Sequence, residues 1–113
     1  MLYLIETKAS EDIALGKSPD QTITFMENVV LPTCKILVQG ERGRRFTGGQ
    51  VAGQRAHAII ADFSTHEEAN KWVTSLPFWP FYTVKVTPLV SFQSEMDAAK
   101  KTVKVLKTGQ RKQ

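Results

Sequence analysis

The sequence predicts an α+β domain with the order strand, helix, strand, strand, helix, strand, followed by an extra C-terminal helix. Short β-prone apolar segments alternate with segments whose apolar residues recur at helical spacing. Capping sequences mark two helix starts, and glycines and prolines separate the segments. The chain has 113 residues, 42% of them hydrophobic, which fits one domain with a core.

The first half of the chain predicts one strand and one interrupted helix. Residues 2–8 are apolar and β-prone and predict a strand, and the polar residues 9–18 predict a loop. Ser18 is the expected N-cap of the helix, because its side chain can accept from a free backbone N–H. Pro32 lacks a backbone donor and is expected to kink or split the helix, which Gly40 then ends.

A hairpin and a second helix follow. Residues 44–53 predict a distorted strand because glycines interrupt it, and residues 56–63 predict a regular strand joined to it by a tight turn. Ser64 and Glu67 have the spacing of a capping box. They predict a helix that runs to about Leu76.

The last part of the chain predicts an aromatic connector, an edge strand and a tail helix. Residues 77–81 (PFWPF) are held rigid by two prolines, and residues 82–92 predict the last strand, which contains a third proline. From Glu95 the apolar residues form one helical stripe opposite a lysine-rich face. The chain is therefore divided into a domain of residues 1–93 and a basic tail helix of residues 94–113.

This β-α-β-β-α-β order is that of ferredoxin-like domains. Two helices cover one face of such a sheet, and the other face also has to be buried. In a chain of this size a second copy, packed sheet to sheet, is the expected cover. The sequence thus predicts a homodimer or a larger homo-oligomer.

The positive charge of the chain belongs to its tail. The formal net charge is +4, yet six basic residues and no acidic ones follow Ala98. Positions 1–99 hold nine basic and eleven acidic residues, a net charge of −2. Nucleic acid is therefore not an expected partner, since a nucleic-acid-binding domain carries a basic patch on its body.

Other features of the composition narrow the class of protein. No apolar run reaches the length of a membrane span, and no signal peptide is recognisable, so the expected location is the cytoplasm. Cys34 is the single cysteine and is expected in the core, like most free cysteines. The His and Cys residues lack metal-site spacing and no phosphate-binding glycine motif is present, so neither a metal nor a cofactor is expected.

Two residues on strands are candidates for proton transfer. Glu6 shares a strand face with Leu2 and Leu4, and burial of that face would raise the pKa of its carboxyl, as a general acid or base requires. The alternative for Glu6 is a solvated position at the strand end. His57 lies within an apolar strand and titrates near neutral pH, so it can carry protons; the alternative is a structural, hydrogen-bonded histidine.

The candidate substrate-binding residues are one cation and three aromatic residues. Arg55 lies two residues before His57, so both share a strand face, where Arg55 can hold a carboxylate or form an intersubunit ion pair. Phe78 and Trp79 can form the wall of a pocket or pack across a subunit interface. Tyr82 begins the last strand, on the face opposite Lys85, so at most one of these two lines a cavity.

The segment LPFWPF at residues 76–81, together with the strand after it, resembles the C-terminal part of the muconolactone isomerase family. The family has a leucine-proline-aromatic-proline connector at this place. Residues 51–53 and the strand that ends at Phe63 are similar to the family's hairpin and second inner strand. The resemblance covers residues 1–92. It implies a dimeric α/β barrel, often assembled into larger rings, that hosts cofactor-free isomerases, cofactor-free oxygenases and small decarboxylases.

The founding activity of that family moves a double bond within a lactone by proton transfer. Its isomerases have a Trp-Arg stretch and a histidine where this chain has Gly48, Gly49, Gln50 and Gln54. The chain is therefore more similar to the branch of the family whose members have no assigned role.

Two hypotheses for the function remain open at this point. The first is a small cofactor-independent enzyme of the isomerase or cyclase type, acting on a hydrophobic carboxylate or lactone. Its base would be Glu6 or His57, and Arg55 would hold the anion. The second is a non-catalytic protein of the same fold that binds a small hydrophobic or anionic molecule or assembles with a partner through its tail.

Overall fold

The computed structural model describes residues 1–10 and 18–111, so most of the loop predicted over residues 9–18 lies outside the described residues. The strands are β1 (Leu2–Ala9), β2 (Phe46–Gln50), β3 (Ala56–Asp62) and β4 (Tyr82–Leu89). The helices are α1 (Pro19–Phe25), α2 (Leu31–Arg42), α3 (His66–Thr74) and α4 (Phe92–Arg111). The predicted α+β class and element order are confirmed.

The four strands form one antiparallel sheet in the order β2-β3-β1-β4, which is the ferredoxin-like arrangement. Neighbouring residues of a strand point to opposite faces. In the register of β1 with β3, Thr7 stands opposite His57 and Glu6 stands opposite Ala58. Glu6 also stands opposite Lys85 of β4. His57 and Glu6 are therefore on different faces of the sheet.

One face of the sheet carries the core. Tyr3 and Ile5 of β1 are buried together with Ile59 of β3 and with Ala69 and Val73 of α3. We call this the helix face, and the face with Glu6 the open face. In the described part of the chain, helices cover only the helix face, as predicted for this topology.

The backbone stays helical from residue 19 to residue 42, but a π-helical turn interrupts the α-helix just before Pro32, near the place where the sequence predicts a kink or a split. The Ser18 side chain accepts from the backbone N–H of Gln21 at 3.2 Å, which confirms the predicted N-cap. Residues Met26–Val30 form the π-helical turn between α1 and α2. Pro32 then lies in the first turn of α2, where a missing backbone N–H costs little.

The prediction that Gly40 ends this helix is wrong, because α2 continues to Arg42. Gly40 is buried, and a Cβ atom there would overlap the ring of Phe46. The glycine allows β2 to lie close to α2. Its role is thus close packing.

The predicted capping box of α3 is shifted by one residue. Thr65, not Ser64, is the N-cap, and its hydroxyl accepts from the backbone N–H of Glu68 at 3.1 Å. The Glu68 carboxylate accepts in turn from the backbone N–H of Ser64 at 2.9 Å. The sequence offers both Ser64/Glu67 and Thr65/Glu68 at the same spacing, and spacing cannot choose between them.

The tail helix begins earlier than predicted, and the last strand ends earlier. The Ser91 hydroxyl accepts from the backbone N–H of Ser94 at 3.1 Å, so α4 starts at Phe92 instead of Glu95. The molecule measures 73 × 29 × 24 Å, and all side chains of residues 92–109 are exposed. Within the described ranges, no helix has both the length and the apolarity to cross a membrane.

Candidate active site

A cavity of about 330 Å³ lies between the helix face of the sheet and the interrupted helix. Its apolar wall consists of Met26, Val30 and Phe78. Its polar groups include Arg55, His57 and Tyr82. Apolar walls with a few convergent polar groups are typical of small-molecule sites. This cavity is therefore the candidate active site.

Several elements of the fold meet at the cavity. His57 is the second residue of β3, Tyr82 is the first residue of β4, and Arg55 lies in the hairpin turn just before β3. The connector before β4 places Phe78 beside Tyr82, with ring centroids 4.6 Å apart. The π-helical turn supplies Met26 and Val30 from the other side.

His57 is half-buried and held by the sheet. Its Nδ1 atom is 2.8 Å from the hydroxyl of the buried Thr7. Its ring meets the ring of Phe78 edge-on, with centroids 5.7 Å apart and an interplanar angle of 80°. Burial lowers the pKa of His57 below its ordinary value of 6.5, so the neutral imidazole is the main form at pH 7.

The hydrogen bond at Nδ1 leaves the other ring nitrogen of His57 free for chemistry. Among the described residues, no group forms a hydrogen bond with Nε2. When Nδ1–H donates to Thr7, Nε2 carries a lone pair and can accept a proton. When the Thr7 hydroxyl donates to Nδ1, Nε2–H can donate. The pair is thus able to support either direction of proton transfer.

Tyr82 and Arg55 add a neutral donor and a cation to the same cavity. Burial raises the pKa of the Tyr82 hydroxyl above its ordinary value of 10.0, and the charge of Arg55 opposes that rise. Tyr82 therefore stays protonated at pH 7 and can donate a hydrogen bond. Arg55 is exposed, and no acidic side chain in the described residues forms an ion pair with it. Its guanidinium group can meet an anionic ligand.

The structure brings together four of the six residues that the sequence suggested, namely Arg55, His57, Phe78 and Tyr82. It does not bring Glu6 or Trp79 to this cavity. Glu6 is exposed on the open face, beside Lys85. Trp79 begins the 3-10 turn Trp79–Phe81 with 39% of its surface exposed.

The prediction that Cys34 belongs to the core is wrong: its side chain is exposed and borders the cavity. In the sequence, Met26, Val30 and Cys34 recur at steps of four, which predicts that they share one helix face, but the structure buries Val29 and Thr33 instead. A π-helical turn holds more residues than an α-helical turn. It therefore rotates the following helix relative to the pattern expected from regular α-helical spacing.

Three polar residues near His57 are not among the site residues that the sequence predicts. Thr7 holds its ring, and Gln50 and Thr33 line the same cavity. Because side chains alternate along β1, Thr7 shares a face with the apolar Tyr3 and Ile5, and this pattern could have indicated that Thr7 is buried. Only the register between β1 and β3 shows that Thr7 reaches His57.

A second hollow of about 220 Å³ lies next to the first, between α2 and β2. Leu37 and Phe46 are part of its wall, and it shares Cys34, Gln50 and His57 with the first cavity. His57 therefore stands where the two hollows meet.

The described residues contain no group of three or more His, Cys, Asp or Glu side chains placed to hold a metal ion. The exposed guanidinium group of Arg55 at the cavity suits an organic anion.

Fold and cavity define an α+β domain with a ferredoxin-like sheet and a ligand-sized hollow between sheet and helix. The chain matches no family model and no curated protein sequence. Among solved structures it is similar to the crystal structure of muconolactone isomerase determined at 3.3 Å resolution, with a TM-score of 0.63. The match covers 80% of this chain and 90% of that chain at 15% sequence identity. The similarity shows a shared fold.

Proposed function

We propose that this protein is a small cofactor-independent enzyme that moves a proton within a hydrophobic carboxylate or lactone. The observation that carries the proposal is the position of His57. Its Nδ1 atom is fixed by Thr7, and its Nε2 atom makes no protein hydrogen bond among the described residues. Arg55 and Tyr82 line the same cavity. Similarity in fold to muconolactone isomerase agrees with this type of reaction.

The proposed reaction starts when Nε2 of His57 takes a proton from a saturated carbon that is conjugated with the substrate carbonyl, either directly next to it or across one double bond. The C–H bond breaks, and its electron pair moves into an enolate whose oxygen carries the negative charge. The Tyr82 hydroxyl donates a hydrogen bond to that oxygen. The imidazolium then returns the proton to another carbon of the conjugated system. The double bond has moved, with no net oxidation or reduction.

The class of substrate follows from the chemistry of the wall. Met26, Val30 and Phe78 favour an apolar body, and the guanidinium group of Arg55 favours a carboxylate. The cavity volume of about 330 Å³ is at the lower end for small-molecule sites. A small lactone that bears a carboxylate fits all three features.

We further propose that the enzyme works as a homodimer or larger homo-oligomer that buries the open face of the sheet. Three large apolar side chains on that face are exposed in the single chain: Leu2 at 47%, Ile60 at 39% and Leu89 at 38%. A second copy packed on this face would cover them. The sequence predicts the same contact, because the face of the sheet that the helices leave uncovered also has to be buried.

Solvent exchange of protons on a lactone tests the enzymatic proposal. Muconolactone is incubated with the protein in D₂O at neutral pH, and ¹H NMR follows the loss of signals next to the carbonyl and any change in double-bond position. We expect exchange or isomerisation faster than in buffer alone. Broadened lactone signals would show binding. If they appear without exchange or isomerisation, they contradict the proposed enzymatic activity and support the non-catalytic binding alternative.

The contact with the anion is tested by a matched pair of arginine variants. Arg55→Gln is expected to weaken lactone binding by about tenfold, because it removes a charge-assisted hydrogen bond. Arg42→Gln, at the exposed end of α2, is expected to leave binding unchanged. Equal effects of the two variants would contradict the assigned role of Arg55.

A further inference from the structure

We propose that α4 pairs with α4 of a second copy of this chain as a parallel, two-stranded coiled coil. This inference is independent of the proposed enzymatic function. All side chains of residues 92–109 are exposed, including Phe92 at 89% and Leu106 at 61%. The apolar stripe of the helix is thus uncovered by the described part of the chain. The spacing of the apolar residues in the stripe, and the charges beside it, indicate which partner covers it.

The apolar residues of α4 repeat at spacings of four, three, four and three. They are Phe92, Met96, Ala99, Val103 and Leu106. Alternating steps of four and three are the a and d positions of a heptad repeat, with Met96 and Val103 at a. An average step of about 3.5 residues keeps the stripe facing a partner helix along its length.

The composition of the stripe favours two strands. Val103 at a is β-branched and Leu106 at d is not, a combination that favours parallel dimers over larger bundles. The stripe is also narrow, since Ala98 and Val105 are the only apolar residues of the helix outside it after Phe92. A helix that lies on a membrane presents a broader apolar face. The narrow seam therefore favours a second helix.

The charges beside the stripe specify the partner and its direction. Glu95 occupies a g position, and Lys100 occupies the e position five residues later. In a parallel pair, each g residue meets the e residue of the next heptad on the other helix, so Glu95 of one copy meets Lys100 of the other, twice. In a fully overlapped antiparallel pair, Lys100 would instead face Lys100 of the second copy. Charge complementarity thus favours the parallel arrangement of two identical chains.

The geometry of the molecule leaves room for this contact. The helix has 20 residues, and the longest dimension of the molecule is 73 Å against 29 Å and 24 Å for the others. The helix therefore projects from the body, and two bodies need not collide when their tails pair. The tail contact involves different residues from the open sheet face.

Position-specific cross-linking of the full-length chain tests the pairing. In a Cys34→Ser background, Val103→Cys places a thiol at an a position, and Lys101→Cys places one on the outer face of the same helix. After mild oxidation we expect a disulfide-linked dimer as the main band for Val103→Cys and monomer for Lys101→Cys. Equal cross-linking of the two variants would overturn the proposal. So would a monomeric Val103→Cys chain that sediments with vesicles of phosphatidylglycerol and phosphatidylcholine.

Charge exchange tests the direction of the helices without changing the stripe. Glu95→Lys and Lys100→Glu each place like charges opposite one another, and each should weaken the cross-linking of Val103→Cys several-fold. The double variant reverses both charges and should restore it. A double variant that cross-links no better than either single one would contradict the parallel pairing. Because the readout is a tail disulfide, it does not depend on catalysis or on contacts of the open face.

Discussion

The two faces of the sheet are formed by the same four strands, but they differ in what covers them. On the helix face, Thr7 and His57 stand opposite each other, and the helices and the connector form a cavity that His57 lines. On the open face, one residue away along each strand, Glu6 and Ala58 stand opposite each other and nothing in the described residues covers Glu6. A step of one residue therefore separates a half-buried imidazole from an exposed carboxylate.

The difference shows that position relative to the helices decides which residues can be tuned for chemistry. Burial changes the pKa of His57 and Tyr82, which both belong to the helix face or its edge. Glu6 on the open face is exposed to solvent and does not line the cavity. The candidate base is therefore His57.

The largest expected effect comes from removing the proposed base. His57→Gln should lower the rate of lactone isomerisation by about 100-fold or more, which is the usual contribution of a positioned acid or base. Glu6→Gln, its counterpart on the open face, should change the rate by less than about threefold, because Glu6 is outside the cavity. The measurement is kcat/KM for both variants. A larger loss of kcat/KM for Glu6→Gln than for His57→Gln would mean that the proposed base lies on the open face.

Adjacent glycines of β2 give the next largest contrast. Gly48 has a φ of +142°, and a Cβ atom there would overlap the carbonyl oxygen of Ala58. Gly48→Ala should therefore lower the free energy of unfolding by roughly 2–4 kcal/mol, through backbone strain and overpacking. Gly49 has no atom within 4 Å of such a Cβ, so Gly49→Ala should be neutral within about 0.5 kcal/mol. Urea denaturation of both variants decides whether the two positions differ.

The sequence predicts the fold well because the strong signals are local. Ser18 caps its helix, β-prone segments become strands, and a proline-rich connector precedes the edge strand, as expected. The sequence predicts the ends of helices and strands, and the packing between elements, less accurately. Gly40 serves the close approach of Phe46, and no local pattern distinguishes such a glycine from one that ends a helix.

The candidate site is predicted in part, for a physical reason. His57, Arg55 and Tyr82 are recognisable as residue types on strands or turns, and the structure brings them together. Their partner Thr7 lies 50 positions away from His57 in the chain, and only strand register connects the two. In the sequence, Glu6 and His57 are equally good candidates. The alternation of side chains along a strand assigns each residue to one of two faces, but it does not show which face the helices cover.

A third contrast uses one threonine on each face. Thr7→Val removes the hydroxyl that holds His57 and leaves Nδ1 without its protein partner. We expect the free energy of unfolding to fall by about 1–2 kcal/mol, the cost of an unsatisfied, partly buried polar group. Thr83→Val changes an exposed residue of β4 and should cost less than about 0.5 kcal/mol. Equal losses in thermal or urea unfolding would show that the Thr7 hydrogen bond adds no stability.

The smallest expected effect is a dependence of stability on pH that comes from His57. Because burial lowers the pKa of His57 in the folded chain, the unfolded chain binds a proton more readily. Stability from this group is then complete above the unfolded pKa of about 6.5 and decreases as the pH falls through that value toward the folded pKa. His57→Gln removes this part of the pH dependence. Urea denaturation at pH 7.5 and pH 5 should therefore show a smaller loss of stability on acidification for His57→Gln than for the unchanged chain. An equal or larger loss in the variant would mean that the cavity does not disfavour the protonated imidazole, and the helix face would then lose its main distinction from the open face.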